Sequence, residues 1–251
     1  VEGSRSAPRH QTIFNRQIED HQRILKDLFH LEGLQIFSAA SCAGGLAATC
    51  YAIQALRQGK ISLALTVGAS RISPFFLLTY GLGGALGKDY SVPFDKRANG
   101  LIPCDGAASL LLMRRLDAER LNLKVEALIL DIGFSQNSTG GIWSANRDAE
   151  ALAMQRVFKQ LPFSPREIGY FEAQANSTQL GDLEEFEALR KIYGEGASPL
   201  HVSAGKSLFG HAGAASGLAS LIRAVLAIQQ KKFFPTVGIT EPRFPDNEWF
   251  H

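Results

Sequence analysis

The stretch Leu34-Gln-Ile-Phe-Ser-Ala-Ala-Ser-Cys-Ala-Gly-Gly-Leu-Ala-Ala-Thr49 changes from a strand pattern to a helix pattern at Cys42. The residues before Cys42 are short and apolar, and after it Leu46, Cys50 and Ile53 repeat with the spacing of one helix face. A cysteine in the first turn of a helix meets unpaired backbone N–H groups and the positive end of the helix dipole, which favour the thiolate. The position makes Cys42 a candidate nucleophile, although a free cysteine is often only a small buried apolar residue.

Composition excludes several classes of protein. The 251 residues are 45% hydrophobic, and 26 basic against 24 acidic residues leave a net charge of +2, which argues against nucleic acid or a membrane surface as the main partner. Three cysteines are too few for a disulfide scaffold, and no apolar stretch reaches the roughly 20 residues of a membrane span. With no signal-peptide core in the first 30 residues, the sequence predicts a cytoplasmic protein.

Strand-like and helix-like segments alternate, which predicts a layered α/β fold. Strands are expected at about 34–40, 61–68, 107–113, 123–134, 168–174 and 200–204. Helices are expected at about 17–30, 43–58, 147–160, 182–193 and 213–230, with a glycine-rich, irregular loop over 75–99. The charged segment Arg114–Asn122 divides the chain into an N-terminal half, 1–115, which carries Cys42, and a C-terminal half, 116–251.

Two predicted strands in the second half end in unusual polar residues. The first leads into Gln174-Ala-Asn-Ser-Thr-Gln-Leu-Gly-Asp182, where Asp182 is a suitable helix-start residue. The second leads into Gly-Lys206-Ser-Leu-Phe-Gly-His211, which places His211 near a helix N-terminus, where the neutral imidazole is favoured. Open α/β sheets place function at the carboxyl ends of their strands, so these two segments are candidate partners of Cys42.

Four segments, in order along the chain, resemble the β-ketoacyl synthase branch of the thiolase-like condensing enzymes. They are Ser41-Cys-Ala-Gly-Gly45, Pro93-Phe-Asp-Lys-Arg-Ala-Asn-Gly100 with Asp105-Gly-Ala107, Glu172-Ala173 through Asp182, and Lys206-Ser207 with Gly210-His211 and Ala214-Ala215. The resemblance implies a thiolase-like layered α/β/α/β/α architecture, expected to be incomplete at both ends in this chain.

The resemblance also implies roles for individual residues. Cys42 would accept the acyl group, His211 would serve as a hydrogen-bonding or acid/base residue, and Lys206 would give electrostatic support. Asn176 and Thr178 would line the phosphopantetheine arm of the substrate. Asp182 and Glu185 would hold the catalytic residues in position without contacting the substrate.

The chain departs from the family pattern at catalytic positions. Gln174 stands where the family has its first histidine, and Ala175 follows it in place of glycine. Glutamine can donate an N–H to an oxygen but does not carry a proton, and a positioned acid/base contributes about 10²–10⁴-fold. We therefore expect acyl loading to survive better than decarboxylation. Asn99 replaces an aspartate, and Cys104 replaces a glycine and is a weak rival nucleophile beside Asp105.

Two classes of function follow. The first is a β-ketoacyl synthase-type acyltransferase of fatty acid or polyketide biosynthesis, which loads an acyl chain from an acyl carrier protein onto Cys42, with or without condensation. The second is a non-elongating, chain-length-factor-like subunit of a heterodimeric ketosynthase. The resemblance implies a homodimer or heterodimer paired through about 34–40, and substrates carried on phosphopantetheine. We expect no metal, since the six histidines lack ligand spacing, and no bound nucleotide or other cofactor.

Overall fold

The computed structural model describes residues 9–139, 144–194, 200–244 and 249–250. By its internal contacts the chain separates into two compact units, Val1–Ala39 and Ala40–His251. The first unit contains helix α1 (Arg9–Phe29) and an irregular segment that follows it. The predicted division into 1–115 and 116–251 stays a prediction.

The second unit is mixed α/β. Its helices are α2 (Gly44–Arg57), α3 (Pro74–Leu82), α4 (Arg115–Arg120), α5 (Arg147–Phe158), α6 (Gln179–Tyr193), α7 (Lys206–Phe209) and α8 (Ser216–Gln230). Its strands are β1 (Leu63–Ser70), β2 (Gly106–Met113), β3 (Tyr170–Glu172) and β4 (His201–Ser203). Single 3₁₀ turns occupy Ser41–Ala43, Pro165–Glu167 and Gly213–Ala215. In the described part of the chain, no helix combines the length and the apolarity that crossing a membrane requires.

Two small sheets organise this unit. β1 and β2 are antiparallel, with Leu63 opposite Met113, and β3 and β4 are parallel, with Glu172 opposite Ser203. Because β3 and β4 run in the same direction, their carboxyl ends lie together, and the loops that follow them start side by side. These loops carry the polar residues singled out in the sequence.

The main apolar core lies where α6 packs beside β3 and β4. Leu189 on α6 and Val202 on β4 are almost fully buried there, with Phe186, Tyr193 and Trp249 around them. Helix α8 packs against α2, β1 and β2 as well as β3. Helix α8 thus connects the two sheets with α2.

Three predicted elements differ from the structure. The predicted strands at 34–40 and 123–134 are not strands, because neither segment has a hydrogen-bonded ladder partner among the described residues. The predicted loop over 75–99 contains a helix, α3, which Ser73 caps by accepting from the Phe76 N–H at 3.1 Å, with Pro74 in the first turn.

Helix α1 begins at Arg9, not at about 17 as predicted. The start of α6 also differs from the prediction. The helix begins at Gln179, three residues before the predicted start at Asp182, because Thr178 is its N-cap residue. The Thr178 hydroxyl oxygen accepts from the Gly181 N–H at 3.2 Å, which satisfies one of the free donors of the first turn.

Candidate active site

Cys42 lies in the middle of the 3₁₀ turn Ser41–Ala43, which runs directly into α2. Ser41 has a φ of +48°, in the left-handed region that side chains other than glycine rarely adopt. Such strain costs about 1–3 kcal/mol and persists only where the surroundings enforce it. Here it accompanies a half-buried thiol at the start of a helix, as the sequence predicted.

The turn of Cys42 packs against the turn Gly213–Ala215, which follows His211. Gly45 makes this approach possible, because a Cβ atom there would lie 2.6 Å from the carbonyl oxygen of Ala214. Gly45 therefore has a packing role, because a side chain there would separate the two turns. Cys42 and the segment that follows His211 therefore lie on the same side of the unit.

Tyr80 of α3 is a neighbour of Cys42 that the sequence reasoning missed. Its hydroxyl oxygen lies 4.0 Å from the Cys42 Sγ. Its ring stacks on that of Phe76, with 4.0 Å between ring centroids. Burial, reinforced by the nearby Cys42, raises the pKa of Tyr80, so the phenol keeps its proton at neutral pH. The missed signal was the Ser-Pro pair that begins α3.

Lys206 is the first residue of α7, and it is only 1% exposed. Its Nζ donates to the backbone carbonyl of Gln174 and, at 2.9 Å, to the Gln174 Oε1. Because Oε1 is turned toward this cation, the amide N–H₂ of Gln174 points the other way. Burial lowers the pKa of Lys206, and the negative charges of Glu185 and Cys42 oppose that change.

Two buried acidic side chains of α6 accept hydrogen bonds from the backbone of neighbouring loops. Glu185 accepts from the backbone N–H groups of Gln174 and Ala175, at 2.6 and 2.7 Å, and burial raises its pKa. This grip sustains the left-handed φ of +39° at Ala175. Asp182 accepts from the Phe94 N–H at 2.9 Å, and burial raises its pKa to about 7.

His211 is 1% exposed, and one of its two ring nitrogens is hydrogen-bonded. Its Nδ1 accepts from the Gly213 N–H at 3.1 Å, so a neutral ring carries its proton on Nε2. Nε2 has no hydrogen-bond partner among the described residues. Burial, and then the charge of Lys206, lowers the pKa of His211 to about 4. The imidazole is a neutral donor at physiological pH.

The two residues expected along the phosphopantetheine arm differ from each other. Thr178 uses its hydroxyl oxygen to cap α6. Asn176 has a buried Oδ1 without a hydrogen-bond partner in the described ranges, so it can still bind a donor.

Cys104 is also half-buried, and its backbone N–H donates to the His211 carbonyl at 3.0 Å. Burial and the neighbouring Asp105 raise the pKa of the Cys104 thiol, which makes it a poor nucleophile. The described residues contain no cluster of three or more histidine, cysteine and acidic side chains that could hold a metal ion.

Two family models match the chain over most of its length. The β-ketoacyl synthase N-terminal domain matches residues 24–118, and the β-ketoacyl synthase C-terminal domain matches residues 126–240. The chain belongs to the β-ketoacyl synthase family. The resemblance seen in the four sequence segments is thereby confirmed.

Curated relatives of this β-ketoacyl synthase chain are much longer proteins. It is 34% identical over 219 residues to the highly reducing polyketide synthase sdnO of Sordaria araneosa. The aligned region covers 84% of this chain and 7% of the relative. It is 33% identical over 227 residues to the reducing polyketide synthase PKS1 of Cochliobolus heterostrophus, which covers 88% and 9%. The chain thus spans less than a tenth of the length of these relatives.

Solved structures confirm the thiolase-like layered α/β fold. The ketosynthase from module 6 of the bacillaene synthase of Bacillus subtilis 168 matches with a TM-score of 0.83 and 29% identity, over 90% of this chain and 41% of that one. The ishigamide ketosynthase/chain length factor matches with a TM-score of 0.77 and 27% identity, over 83% and 51%.

Proposed function

We propose that this chain is a ketosynthase domain of polyketide synthesis that transfers an acyl chain from an acyl carrier protein to Cys42. The observation that carries the proposal is the arrangement at the start of α2. The Cys42 Sγ lies beside the Tyr80 hydroxyl, and it interacts electrostatically with the charge of Lys206. The turn that follows His211 packs against the turn that contains Cys42. Family membership and the polyketide synthase relatives support the same reaction class.

Loading proceeds by thioester exchange. The Cys42 thiolate attacks the carbonyl carbon of the carrier-bound acyl group, the carbonyl oxygen takes the negative charge, and the bond to the phosphopantetheine sulfur then breaks. The new thioester forms on Cys42, and the carrier leaves as a thiolate that takes a proton from water. Cys42 supplies the nucleophile, and the reaction requires no resident cofactor.

Condensation asks more of the second half of the site. Decarboxylation of a malonyl thioester produces an enolate, which then attacks the acyl group on Cys42. The Nε2–H of His211 and the amide N–H₂ of Gln174 can both donate to an enolate oxygen. Gln174 cannot present a positive charge to the departing carboxylate as a protonated histidine could. We therefore propose that loading persists while condensation is weakened.

Incubation with acyl-loaded carrier protein, followed by peptide mass spectrometry, tests loading. The acyl mass should appear on the peptide of Cys42 and disappear in Cys42→Ala. Cys50→Ala is the matched control, since Cys50 is a half-buried cysteine on α2 itself, and should load normally. An acyl adduct that persists in Cys42→Ala would falsify the proposal.

Release of CO₂ from malonyl-loaded carrier protein tests the role of Gln174. The Gln174→His variant should release CO₂ faster than wild type, by roughly 10²-fold, the lower end of what a positioned acid/base contributes. Equal rates in the two proteins would mean that full-rate elongation does not depend on a histidine here.

A second candidate function is a non-elongating subunit that shapes the pocket of an active partner. Gln174 favours it, and one solved relative is itself described as a ketosynthase/chain length factor. The free thiol of Cys42 counts against it, because a purely structural subunit has no use for a nucleophile. Purification of the chain alone as an active homodimer would exclude this function.

The partners and the cellular location follow from the proposed reaction. The carrier protein supplies the phosphopantetheine arm, for which Asn176 offers a free acceptor. We propose a cytoplasmic domain that forms a homodimer or a heterodimer with another ketosynthase subunit, paired through residues 34–40. Chemical cross-linking of the Ile36→Cys variant tests this pairing. A cross-link between two subunits is expected, and its absence would contradict the pairing.

A further inference from the structure

The hydroxyl of Tyr80 occupies a defined place beside the nucleophile. It lies 4.0 Å from the Cys42 Sγ and also interacts with the side chain of Ser41, whose Oγ is itself 3.8 Å from that sulfur. A phenol O–H and a serine hydroxyl thus meet at one thiol. The family resemblance assigned no role to either.

The position of the Tyr80 hydroxyl is set by the helix that carries it. Tyr80 stacks on Phe76 one turn earlier, with their rings 17° from parallel. Ser73 and Pro74 fix the start of that helix. Ring stacking and capping restrict the motion of the side chain, so the hydroxyl meets the sulfur without a large loss of side-chain freedom.

We propose that Tyr80 is a catalytic residue whose hydroxyl donates a hydrogen bond to the Cys42 thiolate and holds it ready for acyl transfer. This proposal rests on Cys42 being the reactive thiol of the proposed function. An O–H donor lowers the free energy of the thiolate relative to the thiol. The donor keeps its proton throughout, because burial raises the pKa of Tyr80. When the sulfur bonds to the acyl carbon and its charge passes to the carbonyl oxygen, the hydrogen bond weakens and no proton is transferred.

The Ser41 hydroxyl also contacts the sulfur, at 3.8 Å, whereas the two basic side chains nearby are held differently. Lys206 stabilises negative charge at Cys42 from a distance, while its Nζ donates to Gln174. His211 is neutral. Among the described residues, the first turn of α2, the turn Gly213–Ala215 and the start of α8 also pack on the turn of Cys42, and they bring glycine, alanine, leucine and serine there.

Alkylation of Cys42 by iodoacetamide across a range of pH tests the proposal. Peptide mass spectrometry separates Cys42 from the other cysteines, and the readout is the pH at which its alkylation rate is half-maximal. In Tyr80→Phe, which keeps the stacked ring, this pH should rise by about half a unit to one unit. Tyr51→Phe is the matched control, because Tyr51 is an exposed tyrosine on α2 and should leave the profile unchanged.

The outcomes separate this inference from the proposed function. If Tyr80→Phe and wild type give superimposable pH profiles while Cys42 alkylates faster than Cys50, Tyr80 is not a donor and acyl transfer stands. If Cys42 of the wild type alkylates no faster than Cys50 at neutral pH, both proposals fail.

Discussion

Replacing Glu185 with glutamine should destabilise the protein by about 3 kcal/mol. The carboxylate accepts from two backbone N–H groups, at 2.6 and 2.7 Å, and the side chain is buried. A glutamine amide keeps one acceptor oxygen, but its N–H₂ group would face the other backbone N–H, so that two donors meet without an acceptor. A hydrogen bond to a charged group contributes about 1.5–3 kcal/mol, and each buried donor left unsatisfied costs about 1–3 kcal/mol. Relief of the buried charge, which raises the pKa of Glu185, offsets part of this loss.

Urea unfolding of the full chain measures the effect, with Glu187→Gln as the matched control. Glu187 lies on the same helix, but its side chain is 25% exposed and its ion pair with Arg190, at 3.1 Å, is a surface pair worth less than about 1 kcal/mol. The free energy of unfolding should fall several times further in Glu185→Gln than in the control. Equal losses in the two variants would refute the idea that this carboxylate secures the loop of Gln174.

Three further predictions concern pH and helix capping. Burial raises the pKa of Asp182 to about 7, so its stabilising contribution is present at low pH and lost as the pH rises from about 4 through 7. Asp182→Asn, which keeps an acceptor for the Phe94 N–H, should flatten that fall, as urea midpoints at several pH values will report. Thr178→Ala removes the cap on the Gly181 N–H and should lower the free energy of unfolding by about 1 kcal/mol without changing the alkylation rate of Cys42. Because burial lowers the pKa of His211 to about 4, His211→Asn should slow CO₂ release from malonyl-loaded carrier protein by the same factor at about pH 6 and about pH 8. A factor that varies with pH would show that the imidazole titrates in this range.

The sequence predicted the framework of the site because local patterns specify it. A strand-to-helix transition placed Cys42 at the start of α2, as the structure has it. The rule that parallel strands carry function at their carboxyl ends led to the loops of Gln174 and Lys206, which hydrogen-bond to each other in the structure. These inferences required only the secondary-structure type of each segment and the direction in which its chain runs.

The features that the sequence did not predict depend on contacts between distant segments. Apolar residues at 34–40 and 123–134 predict strands, but a strand exists only where another backbone pairs with it. The approach of Gly45 to Ala214 and the contact of Tyr80 with Cys42 join residues far apart in the chain. The role of Thr178 could have been read locally, since a threonine before a helix is a usual N-cap.

The resemblance implies a histidine at the position of Gln174, and a glutamine there is physically reasonable beside Lys206. A buried ammonium group needs acceptors, and Gln174 provides two, its backbone carbonyl and its Oε1. A neutral imidazole also has one acceptor and one donor, but it loses the acceptor when it is protonated, whereas the amide keeps both at any pH. Glutamine therefore separates two abilities that histidine combines, donation to an oxygen and the carrying of positive charge. Loading of Cys42 needs only the first, and this is why we expect the loss of the second to appear in decarboxylation.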